Sequence, residues 1–279
     1  MRSGTIGTSH RKRPAPAAPE FRDTSAPAAK TASDRSSLRV VRGKPGPAAK
    51  GKRSAGRSSG DNAPKRARRR PRGPVSVRDE ILRHGGARGD RRFQAMAEAS
   101  QAYDEGRERD AVRMLRPLVK AMPGAPSVRE LLGLSLYRSG QYAAAAEQLE
   151  AYVSITGEVD QHPVLMDCAR ARRDNDRVDE LWRELAEVSP GAALVTEGRI
   201  VLAGSLADRG RLKEAVELLS RRADTSPKRI QEHHLRLWYA LADLEERTGN
   251  LPRARTLFDR IRRQDASFAD VAERLAALG

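Results

Sequence analysis

From residue 91 onward the apolar positions recur at three- and four-residue spacing, the signature of helices with one buried face. Residues 131–150, LLGLSLYRSGQYAAAAEQLE, carry the pattern in concentrated form. The leucines keep helical spacing, yet Gly133 sits inside the run, Gly140 interrupts it, and Ala143 to Ala146 follow as a block. Glycine costs about 1 kcal/mol in a helix interior relative to alanine. A sequence that uses small residues here predicts helices packed so closely that bulk would separate them.

The stretch matches other parts of the chain. Gly106, Gly140, Gly210 and Gly249 each end one amphipathic run and precede another. Five residues after each glycine comes Ala111, Ala145, Ala215 or Ala254, and four residues further a bulky apolar side chain: Leu115, Leu149, Leu219 or Phe258. Another unit has Arg173 in place of the glycine but keeps Val178, Trp182 and Pro190 in phase, and Pro123 and Pro227 close two further units. The register divides the chain into five helix-turn-helix units: 91–124, 125–157, 158–191, 192–228 and 231–266. In the four units that have it, glycine allows the positive φ that a tight turn needs. The alanine lies where two axes approach most closely, and the large residue fills the seam between them. Gly133 is expected to admit the other helix of its own unit.

A period near 34 residues with two helices per unit resembles the tetratricopeptide repeat family over residues 91–266. The fifth unit carries the resemblance best, through Trp238, Leu241, Ala242, Gly249, Leu251, Ala254 and Phe258. The second carries it through Leu132, Gly133, Gly140, Tyr142, Ala145 and Leu149. The third departs most, with Met166 and Val178 where smaller residues are usual. The resemblance implies an all-α, right-handed helical solenoid. The stretch DASFADVAERLAALG is similar to the helix that ends such arrays, with Phe268, Val271, Leu275 and Leu278 facing inward. A solenoid needs such a cap for solubility.

The resemblance also implies function. Repeats of this family act as non-catalytic scaffolds that hold a partner peptide or helix in a concave groove lined by the first helix of each unit. Aligned with the family pattern, Tyr103, Tyr137 and Tyr239 fall on that side, with Arg138, Arg170 and Arg236 close by. Tyrosine and arginine are common anchors in binding sites; a tyrosine there can equally pack on the neighbouring helix. The clamp by which cochaperone members hold acidic C-terminal peptides is absent, since Met96, Ser100, Glu130 and Leu134 occupy its positions.

Charge adds a second region. The 279 residues carry a formal net charge of +16. Residues 1–74 hold 20 Lys and Arg against 4 Asp and Glu, so the excess resides there entirely. They also contain 9 of the 16 prolines and one aromatic residue, Phe21, a composition that predicts a disordered arm. Residues 75–90 then read as a linker or short helix, with GGARG at 85–89 a hinge, and 267–279 as the cap. The run PKRARRRPR sets Lys65, Arg66, Arg68, Arg69, Arg70 and Arg72 within nine residues. Such blocks attract polyanions, and the alternative function is a nucleic-acid-associated protein whose arm binds without sequence preference.

Little in the sequence points to catalysis. Cys168 is the one cysteine, six residues from His162, which is not the spacing of a zinc site. His233 and His234 are adjacent, so their side chains are expected to diverge around a helix. Trp182, Trp238 and Phe258 sit at core phases. Phosphate-binding glycine loops and an HExxH motif are missing. No cofactor or metal is expected. A single cysteine and the lack of a long apolar run suit a cytoplasmic protein.

Overall fold

The computed structural model describes residues 76–225 and 229–279. The arm, including Phe21 and Lys65 to Arg72, and Pro227 lie outside the described residues. Within them the chain is helical with no strand: α1 Val77–Gly85, α2 Gly89–Asp104, α3 Glu108–Ala121, α4 Pro126–Arg138, α5 Tyr142–Thr156, α6 His162–Ala171, α7 Asn175–Val188, α8 Ala192–Asp208, α9 Leu212–Ala223, α10 Glu232–Arg247, α11 Leu251–Arg262 and α12 Val271–Ala277. Consecutive helices pack as antiparallel neighbours, giving five pairs from α2/α3 to α10/α11, with α1 before and α12 after.

One turn recurs in every pair. Gly106, Gly140, Gly210 and Gly249 have φ between 73° and 83°, and Arg173 takes the same place at 60°. The next residue donates its backbone N–H back to the first helix: Arg107 to Ala102, Gln141 to Leu136, Asp174 to Ala169, Arg211 to Leu206 and Asn250 to Glu245, all at 2.8–2.9 Å. The left-handed residue itself bonds to the carbonyl three positions earlier. This is the Schellman motif, which satisfies carbonyls a helix end would leave open. In the third pair a β-carbon is carried through the same geometry, at the cost that left-handed φ imposes on an L residue.

The small and large positions pack as the register demands. Ala111, Ala145, Ala215 and Ala254 are fully buried, as are Val178, Leu115, Leu149, Leu219 and Phe258. A β-carbon on Gly133 would lie 2.6 Å from two Leu149 carbons and 3.4 Å from the Ala145 carbonyl. The glycine in α4 thus exists to admit α5 of the same unit. Met166 and Val178 are both fully buried in the third unit, so its larger residues are absorbed by packing.

The apolar interior falls into two clusters. One runs from Ile81 in α1 to Leu202 in α8, the other from Ala203 to Leu275 in α12. The division passes through α8, and Leu206 and Leu218 pack against both. Val271 and Leu275 bury themselves on the last pair, with Phe268 and Leu278 beside them.

GGARG is not a hinge. Gly85 ends α1 buried, residues 86–88 form one 3-10 turn, and α2 starts at once. A β-carbon on Gly89 would be 2.9 Å from a Leu82 side-chain carbon and 3.1 Å from the Leu82 Cα. The glycines let α1 fold tightly onto α2. The two histidines also differ from expectation, with ring centroids 4.0 Å apart. Both lie in the first turn of α10, where the His234 ring reaches back to accept the Gln231 backbone N–H at 3.0 Å.

Cys168 is fully buried in α6, and burial, then the charge of Asp167, pushes its thiol up to about 12. The thiolate is the reactive form. In the folded chain a thiol reagent at neutral pH should therefore label it far more slowly than in urea. Equal rates in the two states would show that α6 opens readily.

Candidate protein-binding face

The first helices α2, α4, α6, α8 and α10 lie side by side, and a ladder of polar contacts joins each to the next. From α4 to α2, the Arg138 guanidinium lies 3.9 Å from the centre of the Tyr103 ring and donates to the Tyr103 carbonyl at 3.4 Å. From α4 to α6, the Tyr137 hydroxyl donates to Asp167 at 2.7 Å. Arg170 of α6 bonds Asp208 of α8 at 2.6 Å, and also its own helix at Asp167. Arg236 of α10 holds Glu197 of α8 through two bonds of 2.6 and 2.7 Å. The Tyr239 hydroxyl donates to Asp270 just before α12 at 2.6 Å, and Arg274 of α12 returns to Asp243 and Glu246.

All six residues expected to face a partner are rungs of this ladder. Tyr103 and Tyr239 are buried, whereas Tyr137, Arg138, Arg170 and Arg236 are half-buried. Of the clamp positions, Met96, Glu130 and Leu134 are buried and Ser100 is half-buried. The carboxylate rungs Asp167, Glu197, Asp208, Asp243 and Asp270 were missed in the sequence. Their signal was separation: the bonds from Tyr137, Arg170, Arg236 and Tyr239 span 30, 38, 39 and 31 residues, about one repeat period. An opposite-charge or phenol–carboxylate pair offset by one period is the helical-repeat analogue of a cross-strand pair.

Electrostatics keep the rungs in their bonding forms. Burial, then the Asp167 charge, raises the Tyr137 phenol, so it stays a donor. Burial and Asp270 do the same for Tyr239. At Arg170 burial opposes the charge, but Asp208 and Asp167 outweigh it and the guanidinium is held more firmly protonated than usual.

Between the rungs α8 offers a strip with little side chain. At 100° per residue, Glu197, Val201, Gly204 and Asp208 fall within about 60° of one another. Glu197 and Asp208 are the ladder residues, so half-buried Val201 and Gly204 lie between them on the same face. A β-carbon on Gly204 would meet the Arg170 guanidinium at 3.0 Å. The same spacing on α10 sets half-buried Ala240 and Asp243 between Arg236 and Arg247, and α6 adds half-buried Val164 next to Asp167. The result is a shallow apolar floor edged by charges.

Arg209, the residue that caps the C-terminus of α8, grips Asp179 of α7 through bonds of 2.8 and 3.0 Å. The Arg209 hydrogen bonds hold the Asp179 carboxyl below its ordinary 3.8. A carboxyl lowered by folding stabilises fully above its unfolded value and loses that contribution as pH falls through the folded one. Stability should therefore decline below about pH 4, and less steeply in Asp179→Asn. Urea melts across pH 5 to 2 check this; parallel slopes for the two proteins would remove Asp179 from the account. Because Asp179 is 42% exposed, the effect is small.

Among the described residues no group of three His, Cys, Asp or Glu side chains could hold a metal. Likewise, no described helix is long and apolar enough to cross a membrane.

A solenoid of helix-turn-helix pairs repeating at about 34 residues, with a helix closing its end, has the architecture of the tetratricopeptide repeat. Two models of that family, both described as tetratricopeptide repeat, match residues 96–162 and 235–278. Both ends of the array thus carry tetratricopeptide repeats. Its fold is similar to that of a thermophilic TPR protein of Thermus thermophilus, at 18% identity and a TM-score of 0.54, covering 67% of this chain and 98% of that one. It is also similar to a Podosopora anserina kinesin light chain-like protein with nearly identical TPR-like repeats. There the identity is 19% and the TM-score 0.53, over 68% of this chain and 99% of the other. No curated protein matches the chain. Repeats of this family serve in general as scaffolds for protein–protein interaction.

Proposed function

We propose that this chain is a non-catalytic scaffold whose first-helix face receives a peptide or helix of another protein, centred on α6, α8 and α10. The observation that carries the reading is the floor of Val164, Val201, Gly204 and Ala240, half-buried and bordered by ladder charges. A rigid face of that kind costs little to order when a ligand binds. In this reading Tyr103 and Tyr239 set the spacing of the helices, while Tyr137, Arg138, Arg170 and Arg236 frame the ligand.

The test uses the full chain as bait, with captured proteins identified by mass spectrometry at moderate salt. Val201→Arg puts a long cation on the floor and should lose the specific partner. Arg113→Glu, on the exposed outer face of α3 (75% exposed), should keep it. A capture pattern identical in both variants would refute the location of the site.

A further inference from the structure

We infer that the second-helix side of the array carries a binding site for an oxyanion, a carboxylate or a phosphate, built from Arg199, Arg222 and Trp182. The site lies away from the first-helix face and stands or falls independently of the reading proposed for it.

At 100° per residue, Arg199 stands about 160° around α8 from Glu197 and Val201, so it points toward the second-helix layer. The repeat shows what this position ordinarily does. Eleven residues before each left-handed turn residue come Arg129, His162, Arg199 and Trp238 in the second to fifth units. Arg129 donates to the Pro123 carbonyl at 2.8 Å and to Gln148 at 3.0 Å. The His162 ring bonds Glu184 of α7 at 2.9 Å, and the Trp238 indole N–H donates to the Ala223 carbonyl. Arg199 alone of the four donates to no acceptor among the described residues. It is half-buried, with its guanidinium carbon 5.4 Å from the centre of the Trp182 ring. A contact of that kind uses the face of the ring and leaves the N–H donors open.

The place where His162 finds its carboxylate is reversed in charge. Glu184 stands eleven residues after its turn residue, whereas the fourth unit has Arg221 there and Arg222 next to it. Arg221 is satisfied by Glu217 on its own helix. Exposed Arg222 has no side-chain hydrogen bond or ion pair among the described residues. Burial, then the charge of Arg222, loosens the Arg199 proton. A half-buried guanidinium whose charged neighbour is a second guanidinium burdens the free fold, and an anion between them relieves it. Carboxylate and phosphate both match the guanidinium fork. A β-carbon on Gly198 would strike Leu185 and meet the Trp182 ring at 3.5 Å, so α7 and α8 are closely packed beside the site. The ligand therefore has little left to order.

The test adds inorganic phosphate, or acetate, to the full-length protein at constant ionic strength and follows the Trp182 indole N–H signal by NMR. A local probe keeps this site apart from the cations of residues 1–74. Saturable movement with at least one of the two anions is the expected result, and the stronger response names the preferred one. Arg199→Met should abolish the movement, and Arg222→Gln should weaken the apparent affinity about tenfold. Arg221→Gln should leave it intact. Because Arg222 is exposed, its variant reports on the site even where Arg199→Met disturbs α8. No saturable movement with either anion would overturn the inference. So would movement that Arg199→Met and Arg222→Gln both leave unchanged.

Discussion

Ala145→Arg should cost more than about 3 kcal/mol and leave the second repeat unable to close. Ala145 is shut off from water, and its carbonyl faces the place where a Gly133 β-carbon would stand. The arginine has no room for its stem and no carboxylate for its charge at the α4–α5 contact. Overpacking alone costs about 1–3 kcal/mol, and burying an unpaired cation adds to it. Ala143→Arg, two residues earlier and exposed, should stay within about 0.5 kcal/mol. Urea melts of the two variants decide the matter. Equal midpoints would mean that α5 does not present Ala145 to α4.

Trp238→Ala should cost about 3–5 kcal/mol, the range for removing a large aromatic from a core. Trp238 is 1% exposed, its indole N–H donates to the Ala223 carbonyl at 3.3 Å, and the Arg260 guanidinium covers its face at 3.8 Å. All of these partners lie in or beside α9 to α11, inside the second apolar cluster. In a repeat array each unit answers chiefly to its neighbours. Hydrogen exchange should therefore accelerate in α10, α11 and α12 while α2 to α5 keep their protection. Uniform acceleration along the whole chain would show that the two clusters melt as one. Trp182, half-buried beneath Gly198 and Arg199, should lose less on the same substitution.

The turn glycines, the close-contact alanines and the bulky seam residues could be read directly from the chain. Each is fixed by local geometry that repeats, so a one-dimensional register finds it. Arg173 shows how far the register reaches: it stands at the glycine's position and takes the same left-handed backbone. The ladder was legible only in half. Its tyrosines and arginines stood out by type, but their partners are common carboxylates one period away, and pairing depends on how neighbouring units stack. The corner at Gly85–Gly89 was misjudged for a similar reason. Two glycines look the same in sequence whether they give freedom or admit Leu82. The closeness of the His233 and His234 rings came from a cap, where the His234 side chain bends back to the Gln231 backbone.

The ladder and the apolar seam differ in kind, and they lie at different depths in the array. First helices are tied to one another by discrete polar rungs from Arg138 to Arg274, whereas each is glued to its second helix by close-packed aliphatic surface. Rungs respond to ions in the solvent; close-packed aliphatic surface does not. Raising the salt concentration should therefore weaken the ties between successive first helices before it touches the seams inside each repeat.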